Sequence, residues 1–376
     1  MIFKPTQLFD GVQFHDDKAI RVVNGKVAEI VTYYHEPCIE LDGVMVPGFI
    51  DTQVNGGGGA LFNHETTLET LQKMVKAHAM FGTTSLLPTL ITSDIAKLQE
   101  AAEIVSKAIN QGIPGIAGVH FEGPHLSIVK KGIHNSQHIR KITEDELKIY
   151  CRNDLGKVMV TVAPESISPA QISYLVEHEV IVCLGHSNAE YEDVVKCIEA
   201  GAIGFTHLFN AMSQLTSRDP NMVGAALSDD RCWTGIILDG HHVHPAVAKV
   251  AYRAKPKGKL ILVTDAMSTI GSQQQAFHFD GHQISLAQDK LVSHTGQLAG
   301  SALDMISAVN NSRKMLNTSF AESINMASRY PAQLLGLATS IGQIAVGADA
   351  NFVLLGQESN GEYHVKNTWV QGEQFY

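Results

Sequence analysis

The stretch Val119-His120-Phe121-Glu122-Gly123-Pro124-His125 sets two imidazoles and a carboxylate beside a Gly-Pro break. The residues leading into it, Gly115-Ile116-Ala117-Gly118-Val119, are small and apolar, as in a strand buried on both faces. Charge at the end of such a strand must be desolvated, which is costly in a core and useful for gripping a metal ion. Glu122 is the natural anchor of such a site. Further along, four more apolar runs stop at residues of the same kind. Val182-Cys183-Leu184-Gly185 ends at His186, and Phe205-Thr206 ends at His207. Leu238 leads into Asp239 and His242, and Ile261-Leu262-Val263-Thr264 ends at Asp265. A lone strand-end histidine is more often structural than a ligand, but five strand ends that agree point to one shared site. One Glu and two His match a catalytic metal set of three protein ligands with a position open for water. Asp265 then reads as a base beside that water, with a plain helix N-cap as the alternative.

Two loop residues extend the set. His134, in Lys130-Lys131-Gly132-Ile133-His134-Asn135, is either a hydrogen-bond donor to a substrate oxygen or a solvated side chain. Arg218, in Ser217-Arg218-Asp219-Pro220, is by itself an ordinary surface arginine. For a metal hydrolase of an anionic substrate it is a bidentate phosphate reader.

The elements that must hold these residues alternate. Strand-like runs cover 46–55, 84–90, 115–123, 157–165, 180–187, 205–211, 233–240 and 259–267. Helical patterns lie between them, including 67–81, 94–110, 168–178 and 189–200, with Asp94 and Ser168 as N-caps. Eight strand-then-helix units over about 220 residues predict an α/β fold of the (β/α)8 TIM type, whose catalytic residues stand at the carboxyl ends of the strands. A doubly wound open sheet is the runner-up, weakened by the missing G-x-G-x-x-G after the first strand. Gly56-Gly57-Gly58-Gly59 reads as a loop, in the plainest case a flexible turn.

Both chain ends are strand-like instead. Runs 19–23 and 26–31 flank Asn24-Gly25, a two-residue type I′ hairpin signal, and 350–354 and 368–370 precede a turn at Gly372-Glu373. Neither end buries a core alone. Together they predict a small β-sandwich domain of residues 1–46 and 340–376 beside a catalytic barrel of residues 47–339.

Length and composition set the outer bounds. With 376 residues and 44% hydrophobic content, the chain has room for one large domain and a small one. Charged residues make up 18% and the net charge is -10, which disfavours nucleic acid and anionic membranes as partners. The first ten residues lack a signal-peptide pattern, and no apolar run approaches the roughly 20 residues of a membrane span. The five cysteines are widely spaced with no CxxC, as expected for free thiols in a reducing cytoplasm.

Pro47-Gly48-Phe49-Ile50-Asp51 resembles the opening of the amidohydrolase superfamily. His120-Phe121-Glu122-Gly123-Pro124, Lys131-Gly132-Ile133-His134-Asn135, Gly185-His186-Ser187-Asn188-Ala189, Thr206-His207-Leu208-Phe209-Asn210-Ala211-Met212, Asp239-Gly240-His241-His242-Val243 and Val263-Thr264-Asp265-Ala266 resemble, in that order, the N-acetylglucosamine-6-phosphate deacetylases of that superfamily. The resemblance runs over nearly the whole chain. It implies metal-dependent hydrolysis of N-acetylglucosamine 6-phosphate to glucosamine 6-phosphate and acetate, in amino-sugar catabolism. Glu122, His186 and His207 are implied as metal ligands, and Asp265 as general base and then acid. Ile133, His134, Asn210, Ala211, Arg218, Asp239, Gly240, His241, His242, Leu298, Ala299 and Gly300 are implied around the substrate. A homodimer is also implied, with Arg218 reaching the partner's phosphate site.

In one place the chain departs from the superfamily. A His-x-His pair is expected on the first strand, and Gln53-Val54-Asn55 stands there, which resembles the branch with a single catalytic metal. Gln53 and Asn55 then orient the metal's water or the substrate by hydrogen bonds. One divalent metal per chain is expected. Zinc is the first choice, and iron, cobalt and manganese suit the same ligands. Two rival functions differ in what they need. A cyclic-amide hydrolase with two metals needs the missing His-x-His. A phosphosugar-binding sensor predicts loss of Asp265 or of a ligand, and all are present.

Overall fold

The computed structural model describes residues 1–32 and 37–376. Its centre is a parallel sheet of eight strands: β1 (Phe49–Val54), β2 (Thr83–Ile91), β3 (Gly118–Glu122), β4 (Lys157–Val162), β5 (Ile181–Leu184), β6 (Gly204–Phe205), β7 (Trp233–Ile236) and β8 (Leu260–Leu262). Spatial order follows chain order from β1 to β8. The sheet closes on itself at the top. Val54 bridges Ala266 in parallel, and the Asp265 N–H donates to the Gln53 carbonyl at 3.0 Å. The architecture is a (β/α)8 barrel, as the alternation predicts.

The strands are buried on both faces, and all nine residues of β2 are buried. The helices show how the alternation arises. In α1 (Ile95–Asn110), the Asp94 side chain accepts the Lys97 N–H at 2.8 Å and caps the first turn. The helix then buries Leu98, Ala101, Ala102 and Val105, one face at helical spacing. Losing that cap costs about 1 kcal/mol. Ser168 caps α2 (Pro169–Glu177) in a reciprocal box with Gln171.

Most barrel strands end earlier than the sequence suggests, β6 most of all, whereas β2 runs one residue further at each end. The run expected at 205–211 is a strand only over Gly204–Phe205. Beyond it His207, Phe209 and Ala211 take φ of +33°, +77° and +51°, so the backbone coils away from the sheet. His186 (+47°) and Asp265 (+54°) do the same after β5 and β8. Left-handed backbone at non-glycine residues costs about 1 kcal/mol or more each and gathers at functional sites.

The two chain ends form one continuous eight-stranded sheet. Strand Ile39–Pro47 joins them, pairing in parallel with Ile2–Phe9 and antiparallel with Phe352–Gln357. The Asn24-Gly25 hairpin forms with φ of +50° and +73°, as a type I′ turn requires. The second hairpin turns at Gln371-Gly372, one residue before the expected place, because Val370 pairs with Glu373. Phe3 packs edge-on against Phe352 and Trp369 in the core of this sheet, and those two rings are tilted on each other, with all centroids 5.2–5.4 Å apart. Each such buried aromatic contributes about 2 kcal/mol.

One element was not anticipated. After β8 a three-stranded antiparallel sheet, Ala276–Phe279, His282–Ala287 and Lys290–Ser293, stands at the barrel's top rim. Asp280 bonds Asn135 at 2.8 Å and Asp289 bonds His241 at 2.7 Å, so this sheet is tied to the loops after β3 and β7. Among the described residues no helix is long and apolar enough to cross a membrane.

Candidate active site

Three strand ends converge at the top of the barrel. Glu122 Oε1 lies 3.0 Å from His207 Nε2 and 3.3 Å from His186 Nε2, and the two Nε2 atoms are 2.9 Å apart. All three side chains are buried. His186 Nδ1 donates to the Lys130 carbonyl at 2.8 Å, so the neutral ring carries its lone pair on Nε2. That lone pair points at a carboxylate oxygen and a second imidazole nitrogen, and among the described residues no Lys or Arg pairs with that carboxylate. Converging lone pairs of two imidazoles and one carboxylate fit a divalent metal of the zinc class. Burial works to raise the Glu122 carboxyl, yet the His186 and His207 rings against it hold it well below the usual carboxylate range.

Asp265 stands beside this group. Burial, with the Glu122 charge added, pushes its carboxyl up to about 6. Asn55 Nδ2 donates to its Oδ1 at 2.6 Å, and Gln53 Nε2 donates to the same oxygen at 3.2 Å. Gln53 Nε2 also reaches Glu122 Oε1 at 3.0 Å. Gln53 thus bridges the two carboxylates, and Asn55 holds Asp265 from the cavity wall. The barrel seam explains this, because closure of β1 onto β8 sets Gln53 and Asn55 against Asp265.

A cavity of about 380 Å³ opens above the group. His134 forms part of its wall, with Nδ1 on the Thr92 hydroxyl at 2.7 Å. Burial, helped by the nearby His186, pushes the His134 imidazole well below its usual range, so it is neutral. His242 reaches the cavity from after β7, with Nδ1 on Asp239 Oδ2 at 2.6 Å. Burial raises the Asp239 carboxyl, but the bonds from His242 outweigh it and leave the group lowered.

The sequence profile of the amidohydrolase family matches residues 44–375. This chain belongs to that family. It is 51% identical over 334 residues to the N-acetylgalactosamine-6-phosphate deacetylase of Shewanella sp. (strain ANA-3), covering 89% of this chain and 84% of that protein. It is 34% identical to the N-acetylglucosamine-6-phosphate deacetylase of Vibrio furnissii, covering 98% and 94%. Among solved structures, the N-acetylglucosamine-6-phosphate deacetylase from Pasteurella multocida superposes with a TM-score of 0.93 at 34% identity, over 99% of this chain and 98% of that one.

In this amidohydrolase most of the expected residues meet. Asn55, Ile133, His134, Asn210, Ala211, His242, Leu298 and Gly300 share the cavity wall with Glu122, His186, His207 and Asp265. Others do not reach it. Gln53 lies behind Glu122, and Ala299 is buried in the small core under the added three-stranded sheet. Asp239 and Gly240 shape the turn that presents His242, with Asp239 Oδ1 accepting the N–H of His241 and of His242, both at 2.8 Å. The His241 ring turns outward to Asp289. Arg218 is exposed in the loop after β6 and stands apart from this cavity.

The metal-gripping reading fails for two histidines of the opening stretch. His120 is on the same face of β3 as Glu122 but one layer deeper, bonded to the Thr52 carbonyl and the Thr161 hydroxyl. His125 lies past the Gly-Pro turn, bonded to the Arg140 carbonyl and the Tyr150 hydroxyl. Sequence reasoning also missed Thr92, Lys130 and Gln297. Thr92 ends a strand run as the others do, which was a usable signal. Lys130 acts on His186 through its carbonyl, which no side-chain pattern reveals.

Proposed function

We propose that this amidohydrolase removes the acetyl group from the 6-phosphate of an N-acetylated amino sugar, N-acetylglucosamine 6-phosphate in the first reading, giving the free amine and acetate. The observation that carries it is the convergence of Glu122, His186 and His207 beside a raised Asp265 carboxyl, under a cavity large enough for a sugar phosphate. Glu122, His186 and His207 hold one divalent ion, zinc in our reading. When bound, it makes a water nucleophilic at neutral pH and polarises the acetyl carbonyl.

The rest falls to the chain's own side chains. Both amide bonds to Asp265 go to Oδ1, which leaves Oδ2 to take the proton from the attacking water. A carboxyl near 6 is ionised at neutral pH yet still able to hold a proton. Asp265 then gives that proton to the sugar nitrogen, so an amine leaves. With its Nδ1 taken up by the Thr92 hydroxyl, His134 has Nε2 left to face the developing oxyanion. His242, its Nδ1 held by Asp239, offers Nε2 to the phosphate, with N–H groups near Asn210 and Ala211. Arg218 serves the phosphate from a partner subunit, in a cytoplasmic homodimer whose chains divide into 1–46 with 340–376 and 47–339. Its exposure on the same rim supports that role.

A second reading changes the sugar epimer. The Shewanella relative, at 51% identity, is named for N-acetylgalactosamine 6-phosphate. Acetate release from both 6-phosphates, from unphosphorylated N-acetylglucosamine and from a cyclic amide, with and without chelator, tests all of this. Chelator-sensitive release from a 6-phosphate is expected, and the ratio of kcat/KM decides the epimer. Turnover of the cyclic amide alone overturns the proposal.

A further inference from the structure

His120 is left without a role by the site as described, yet it is bonded at both ring nitrogens. Its Nδ1 is 3.0 Å from the Thr52 carbonyl and so donates to it. Its Nε2, 2.7 Å from Thr161 Oγ1, must then accept that hydroxyl's proton. Thr161 Oγ1 is also 2.6 Å from Thr206 Oγ1. The Thr161 proton is already committed, so Thr206 is the donor. The result is a one-way chain, Thr206 to Thr161 to His120 to the Thr52 carbonyl, running beneath the metal-binding group.

Each link of the chain neighbours a residue of the site. Thr52 precedes Gln53, and Thr206 precedes His207. His120 shares a face of β3 with Glu122, and Thr161 pairs with Glu122 in the ladder between β3 and β4. The fifth strand takes part by having no side chain at Gly185, next to His186. A Cβ there would meet Thr161 Cγ2 at 2.8 Å and Thr206 Cβ at 3.1 Å, wedging the two hydroxyls apart. His120, Thr161 and Thr206 are all buried, so an unpaired member costs the desolvation of a polar group.

We propose that His120 is a positioning residue, which through Thr161 and Thr206 sets the spacing of Glu122, His186 and His207 for the metal. The inference rests on those three residues being a metal site, and its test separates the two ideas. Zinc affinity is measured by competition with a chromophoric chelator on the metal-stripped full chain, alongside the thermal midpoint of the stripped protein. Thr161→Val keeps the shape and removes the link. It should weaken zinc binding by roughly 10–100-fold, the usual effect of losing support behind a ligand. Thr206→Val should weaken it in the same direction, and it stands in should Thr161→Val fail to fold. Ser312→Ala breaks a buried hydroxyl pair with Ser323 away from the site and is the control. It should lower the midpoint and leave zinc affinity unchanged. His120→Gln, which can keep a hydrogen bond to Thr161, should bind zinc more tightly than His120→Ala. If the threonine variants bind zinc as the parent does while their midpoints fall like that of Ser312→Ala, the chain is structural only and the proposal is overturned. A parent that takes up no zinc overturns the metal site as well.

Discussion

Two buried clusters in this protein use the same residue types to opposite ends. In one, Glu146 faces the Arg140 guanidinium, with Nε to Oε1 at 2.6 Å, while His125 leans on Tyr150 at 3.0 Å. In the other, Glu122 faces only the imidazoles of His186 and His207, and among the described residues no Lys or Arg pairs with it. The first cluster is closed by its own arginine and holds the loop that carries Lys130 and His134. The second is open and collects lone pairs. A buried carboxylate among histidines is therefore not a metal site by composition. What decides is whether the chain supplies the positive charge itself.

The sharpest way to break this comparison is to remove the charge the open cluster lacks. Chelation, or Glu122→Gln, should abolish turnover and leave no bound metal by elemental analysis, whereas Glu146→Gln should retain one equivalent. Two equivalents in pure active protein, with activity tracking the second, would overturn the single-metal reading. Next in size is Asp265→Asn, which keeps the shape and removes the proton acceptor. Turnover should fall by at least roughly 10²–10⁴-fold with metal retained. In the parent, kcat/KM should decline as pH drops through about 6 and Asp265 protonates, and a profile flat down to pH 4 contradicts its role as base.

The closed cluster should answer in stability instead. Glu146→Gln strands Arg140, which keeps partial access to water. A loss of about 3 kcal/mol in denaturant unfolding is expected, at the low end for breaking a buried pair. An unchanged midpoint would mean the cluster is not closed in the sense used here. The smallest effect belongs to a residue outside both clusters. Arg218→Ala should raise KM for the phosphorylated sugar and spare the unphosphorylated one, and equal changes would make it structural. Mixing Arg218→Ala with Asp265→Asn chains should restore activity if Arg218 serves the partner's site. No recovery despite proven subunit exchange places its action within one chain.

Much of this was legible in the sequence, for physical reasons that also mark where reading stops. Barrel strands announce themselves by apolar runs that end at polar residues, and Asn24-Gly25 announces its turn by the backbone it permits. The Asp280-Gly281 turn carried the same signal between short alternating runs, and the added rim sheet could have been drawn from it. His120 and His125 could not be sorted from Glu122 by adjacency. Alternation along β3 fixes the face but not the depth, and only the closed barrel shows which layer holds the ligands. The bracing role of Gln53 and Asn55 depends on the seam between the first and last strands, which no local window contains.

That seam has a consequence for assembly. Gln53 meets Asp265 across a separation of 212 residues, and this contact closes the barrel and completes the site at once. Contacts so distant along the chain carry the largest loop-closure cost and are made late. A nascent chain that has not yet released β8 holds every proposed ligand but lacks the general base and the strand that shuts the ring. Catalytic competence therefore cannot precede the docking of the last barrel strand, which brings Asp265 to the ligands.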